Sequence, residues 1–281
     1  MKINSAIRTF YLVTGVLLLV TTSACESPAD PNPKESERQR AVYGMAWSLI
    51  NPDYGVGFAD RPPTRQDGMT TIPLTVSRIP GEFTEADTPV RQSVDVQVNN
   101  IVGELSVPSL ERTGTTLALE RYVAGTGRSP QAKREVERML TGLDDKHFAV
   151  TVLAELTEPM TEDDLERQGL SASTILLGQG AAKKPLGWKQ ENCEVLKTAD
   201  CPDVSPMRSF RSWVATIGPP DAKALRSWRL SADSLRSIAN SGKISGLMDD
   251  LTMPSAALAY IRSSHVRAVY LAAILLRQPV P

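Results

Sequence analysis

The chain has two histidines, His147 and His265, and neither stands in a pattern built for nucleophilic catalysis. A hydrolase triad needs its nucleophile on a strained turn, and G-x-S-x-G is absent; the stretch Ser241-Gly242-Lys243-Ile244-Ser245-Gly246 lacks the spacing. Ser263 and Ser264 adjoin His265, but successive side chains entering a strand point in different directions, so His265 reads as structural. The run from Gly178 to Lys184 mimics part of a phosphate loop. It lacks the third glycine of G-x-G-x-x-G and the G-K-[ST] ending, and no helix pattern follows to face an anion. Paired acids invite a general acid–base or metal reading. Asp249 and Asp250 adjoin at a strand end and face opposite sides, while Asp163 and Asp164 are about 100° apart on a helix. Calcium needs alternating oxygen ligands along one loop, a pattern missing here. No catalytic residue, cofactor or metal is expected.

Three cysteines carry the remaining chemistry: Cys25, Cys193 and Cys201. Lys2 and Arg8 make a positive start, and Phe10 to Val20 is an apolar run of 11 residues. That is short of the roughly 20 residues a bilayer span needs. Small residues then lead into Cys25. With Ser23, Ala24 and Cys25, the segment resembles a bacterial lipoprotein signal peptide, cut before a cysteine whose sulfur carries a diacylglyceryl group. Thr22 departs from that family, which favours leucine there. Ordinary cleavage after Thr22-Ser23-Ala24, leaving a secreted protein, and an uncleaved anchor are the alternatives. Lipid on Cys25 leaves an even pair, Cys193 and Cys201, with seven residues between them. In an oxidising compartment such a pair is expected as a disulfide, contributing about 2.5 kcal/mol by chain entropy. The spacing is neither C-x-x-C nor part of a zinc set.

These residues need elements to hold them. Residues 1–24 are expected as signal peptide, and 25–40 as a lipid-anchored flexible tether with prolines and almost no apolar side chains. Residues 41–145 read as mainly β ending in a helix. Asn51 to Gly68 looks like loop, 70–79 like a strand interrupted by Pro73, and Val94, Val96 and Val98 alternate as in a half-buried strand. The stretch 115–123 is a further strand candidate, and Ser129, Pro130 and Gly142 bracket a helix.

Residues 146–281 read as an α+β domain. Leu156-Thr157-Glu158-Pro159 is echoed by Leu251-Thr252-Met253-Pro254. Each proline is expected to stop a strand and start a helix. The first unit is strand 147–156, helix 161–169 and strand 171–178; the second is strand 243–251, helix 254–262 and strand 266–276. Two such units suggest a sandwich resembling the ferredoxin-like split βαβ arrangement. Residues 179–242 form a helical insertion, stapled by the cysteine pair, in which Met207, Phe210, Trp213, Val214 and Ile217 make a core stripe.

With 31 basic and 32 acidic residues and only 5% aromatics, nothing pulls the chain toward nucleic acid. The anchor, the proline-rich tether, Pro159-Met160 with Leu165, and Trp188 with Cys193 and Cys201 are together similar to uncharacterised lipoproteins of Gram-positive actinomycete type. That resemblance names no activity. The expected function is a non-catalytic binding domain held by lipid on Cys25 at the outer face of the cell membrane, with an envelope protein, peptide or small ligand as partner. A sensor acting through a membrane partner is the alternative, and a cell-envelope hydrolase the least favoured.

Overall fold

The computed structural model describes residues 33–80, 90–179, 184–195 and 204–277. The segment expected as signal peptide, Cys25 and Cys201 lie outside the described residues.

The first element corrects the expected tether. Helix α1 (Pro33–Ile50) takes in residues 33–40 and continues through the stretch assigned to the β region. Composition misled, because polar residues 34–40 are the opening turns of a helix whose apolar body follows. Ser36, Arg40, Tyr43 and Trp47 recur at helical spacing on one buried stripe. From Val42 to Leu49 every residue is buried, so the body of the helix is core all round.

An antiparallel sheet follows, from β1 (Tyr54–Phe58), β2 (Thr64–Gln66), β3 (Met69–Arg78), β4 (Gln92–Asn99) and β5 (Glu104–Ser106). Its order is β1-β3-β4-β5, with β2 paired to β3. Strands β1 and β2 replace the expected loop. Strand β3 also runs uninterrupted through Pro73. The Ala59 amide donates to the Pro73 carbonyl, so the missing N–H faces the gap between β1 and β2, and no ladder bond to β4 is lost. Val94, Val96 and Val98 are buried as their alternation predicts.

The stretch 115–123 is a helix, not a strand: α2 (Gly114–Ala124). Thr113 and Thr116 form a reciprocal cap and Gly125 ends it at φ 68°, signals that outweigh the β-branched threonines. Helix α3 (Pro130–Thr141) has the Ser129 cap and Pro130 start read from sequence.

The second sheet holds β6 (Phe148–Met160), β7 (Thr174–Gln179), β8 (Pro185–Lys189), β9 (Ile244–Thr252) and β10 (Val266–Leu276), in the order β10-β6-β9-β7-β8, all antiparallel. Helices α4 (Glu162–Arg167) and α9 (Pro254–Arg262) join β6 to β7 and β9 to β10. Each of these parallel pairs is split by a strand of the other unit. Pro254 starts α9 as expected, but Pro159 lies inside β6, and α4 starts only after the Thr161 cap.

The region read as a helical insertion contributes β8 to the sheet before α5 (Asn192–Val195), α6 (Pro206–Ala215), α7 (Pro219–Leu225) and α8 (Ala232–Ser241). The α6 stripe is core: Phe210 and Trp213 each lie within 6 Å of Trp188, whose indole N–H donates to Ser209 Oγ at 2.7 Å. Cys193 is buried and disulfide-bonded. On one sheet face Val150, Val152, Ala154 and Leu247 meet α3, α6 and α9; on the other Leu153, Met248 and Tyr270 meet α2.

Candidate functional site

The structure keeps the sequence candidates apart. His147 sits on an exposed turn with Nδ1 2.8 Å from Asp144 Oδ1, while Asp144 also caps the amides of Lys146 and His147. That is turn chemistry, and neither described cavity includes either residue. His265 ends the turn before β10, its amide bonded to Ser263 Oγ. Asp249 and Asp250 do face opposite ways: Asp249 accepts from the Tyr260 hydroxyl and the Ser173 amide, Asp250 from the Thr151 hydroxyl at 2.6 Å. Burial raises the Asp250 carboxyl above its usual range, against the Thr151 hydrogen bond. Asp164 completes the cap with Thr161. Among the described residues no cluster of His, Cys, Asp and Glu could hold a metal.

The structure builds instead a buried polar centre that sequence reading missed. Asp53, just before β1, is fully buried. Lys184 Nζ stands 2.8 Å from both its oxygens, and the Thr116 hydroxyl donates to it at 2.5 Å. Since Thr116 lies in the first turn of α2, the carboxylate sits at that helix's positive end.

Close by, Lys189 at the end of β8 buries its amine, which reaches Ser48 Oγ of α1 at 3.3 Å. Burial pushes its pKa down to about 8, opposed by Glu191, Asp53 and Asp250. Ser48 donates in turn to Asn192 Oδ1 at 3.4 Å, and Asn192 Nδ2 is buried without a hydrogen-bond partner. An amine of lowered pKa has the electronic character of a base or nucleophile. Lys189 lines neither described cavity, so no substrate reaches it by those routes. The centre ties α1, the start of β1, α2 and β8 together.

A second buried carboxylate, Glu155 on β6, accepts from Arg128 Nε at 3.1 Å on both oxygens and from the Tyr270 hydroxyl. It fixes the turn between α2 and α3 to the sheet. The only advance signal for either centre was an isolated charge in an apolar run: Glu155 within 148–156 and Lys189 after Trp188.

The larger described cavity is a groove of about 450 Å³ where α4, the start of β7 and α6 meet. Leu165, Leu170, Ala172 and Ile175 give it an apolar wall, and Glu162 and Glu166 an acidic rim. Glu162 accepts from the Ser205 hydroxyl and the Met207 amide, joining α4 to α6. Glu166 forms no ion pair among the described residues.

No protein-family model matches the chain, no curated protein matches it, and no solved structure matches it. Among the described residues no helix is long and apolar enough to cross a membrane.

Proposed function

We propose that the protein is a lipoprotein, anchored through Cys25 at the outer face of the cell membrane, whose folded body is a non-catalytic binding domain. The groove between α4 and α6 carries the binding half of this reading: an apolar wall under an acidic rim suits a peptide with apolar and basic side chains. The anchoring half rests on the leader and on Ser23-Ala24-Cys25. Because α1 starts at Pro33, residues 26–32 let the body stand at most about 28 Å from a lipidated Cys25. The strand order β10-β6-β9-β7 supports a ferredoxin-like assignment, with β8 added at one edge. A Cys193–Cys201 pairing is proposed as the bond that Cys193 makes.

Intact mass of the protein from detergent-solubilised membranes tests the anchor. The expected mass is residues 25–281 plus two or three acyl chains, with two alkylation sites appearing only after reduction. An acyl-free chain in the medium, alkylated without reduction, overturns it. Calorimetric titration of the Cys25→Ser mature chain with Lys-Leu-Lys tests the groove. Saturable binding lost in Ala172→Trp is expected; heat of dilution alone overturns the binding half.

A further inference from the structure

On β1, Tyr54 and Val56 point into the core, so Gly55 and Gly57 form the opposite face. Their partners on β3 are Ser77 and Thr75, in a register without a shift. Glycine weakens a strand interior, by roughly 0.5–1 kcal/mol relative to alanine, and where no bulge explains it, it marks the close approach of another group. A Cβ on Gly55 would come within 2.7 Å of Ser77 Oγ, and one on Gly57 within 2.9 Å of Thr75 Oγ1. The result is a trough of about 250 Å³ with a floor of backbone and hydroxyls.

Two charges complete its lining, Arg91 beside β4 and Glu191 before α5. Glu191 Oε1 reaches to 3.6 Å from where a Gly55 Cβ would stand, so the carboxylate overhangs the floor. Both side chains belong to exposed residues, and neither forms an ion pair with the other or with any other described residue. Opposite charges sharing one small cavity without pairing leave room for a ligand carrying both complements. The volume is below the roughly 300–1,000 Å³ of drug-sized sites, which sets the ligand's scale.

We propose that this trough binds a small zwitterion, a free α-amino acid or a dipeptide, with its carboxylate on Arg91 and its ammonium on Glu191. Thr75 and Ser77 hydroxyls hydrogen-bond the ligand between those ends, and the glycines let its backbone lie against β1. The site is separate from the α4–α6 groove and does not depend on it.

Calorimetric titration of the Cys25→Ser mature chain with alanine and with dialanine tests this. Saturable binding of one of them is expected, and which one binds sets the distance between the charged ends. Arg91→Gln and Glu191→Gln should each weaken it at least tenfold. N-acetylation of the ligand should weaken binding to the natural trough and leave binding to Glu191→Gln unchanged. Gly57→Val should abolish binding, with thermal unfolding measured alongside to show that the variant folds. Heat of dilution alone with both ligands, or unchanged affinity in the folded Arg91→Gln and Glu191→Gln variants, overturns the proposal.

Discussion

Helices α4 and α9 bridge equivalent pairs of strands in one sheet and are held in opposite ways. Helix α9 buries Pro254, Ala257, Leu258, Tyr260 and Ile261, yet Met253 at its start offers no side-chain cap. Helix α4 buries only Leu165 and has a reciprocal Thr161–Asp164 cap with three acids in its first turn. Apolar packing dominates in α9, with Asp145 holding its first turn, and polar bonds at the first turn, including those of Glu162 to α6, dominate in α4. The contrast continues to the outer strands. Beside α9, β10 ends in apolar residues with Ile274 and Leu276 exposed, whereas beyond β7 the short β8 is buried throughout and ends in the charged Lys189.

The largest effect should come from the packed helix. Ile261→Ala is expected to lower unfolding free energy by about 3 kcal/mol in urea titration. A loss no greater than that of a cap deletion in α4 would break the contrast. Next comes Lys189. Its folded pKa of about 8 lies below the unfolded value of 10.5, so the unfolded chain binds more protons between those limits and stability rises with pH there. The Lys189 contribution should grow by about 2 kcal/mol from pH 8 to 10, and Lys189→Met should remove that slope. Parallel slopes in both proteins would show the amine is not titrating as buried. Thr161→Ala should cost about 1 kcal/mol by urea titration, confined to loss of the α4 cap. The smallest change sharpens the comparison from the other side. Ser129 and Ser205 both cap helices that begin with proline, whereas the first turn of α9 is held from outside by Asp145, which accepts from the Ser255 amide, so Met253→Ser should add a local cap beside it. A gain of about 0.5–1 kcal/mol is expected, read as a higher thermal midpoint.

The α+β sheet was legible because its signals are local. Strand 266–276 and helix 254–262 follow from apolar runs punctuated by Pro254, and the α6 stripe from its spacing. The first half was harder because tertiary context decides it. Arg40 reads as tether, but its guanidinium lies over Phe58 at 4.5 Å and donates to the Ala59 carbonyl. Gly55 and Gly57 read as turn residues, although β3 holds them in a ladder. Asp53 and Lys184 are separated by most of that half and by β6 and β7, and no local pattern announces their meeting. Caps and periods are written into neighbouring residues; buried ion pairs are written into the topology.

Helix α1 has a consequence in time. Tyr54 and Phe58 cover one side soon after it is made, but other partners come late: Trp213 Nε1 donates to the Val42 carbonyl, Arg38 pairs with the buried Asp221, and Lys189 reaches Ser48. An isolated helix of this length is marginal in water, and synthesis adds about 5–20 residues per second. The first described helix therefore waits about 10–30 s for these partners, with β1 and β3, through contacts such as Trp47 with Tyr54, able to cover part of the run from Val42 to Leu49 before then.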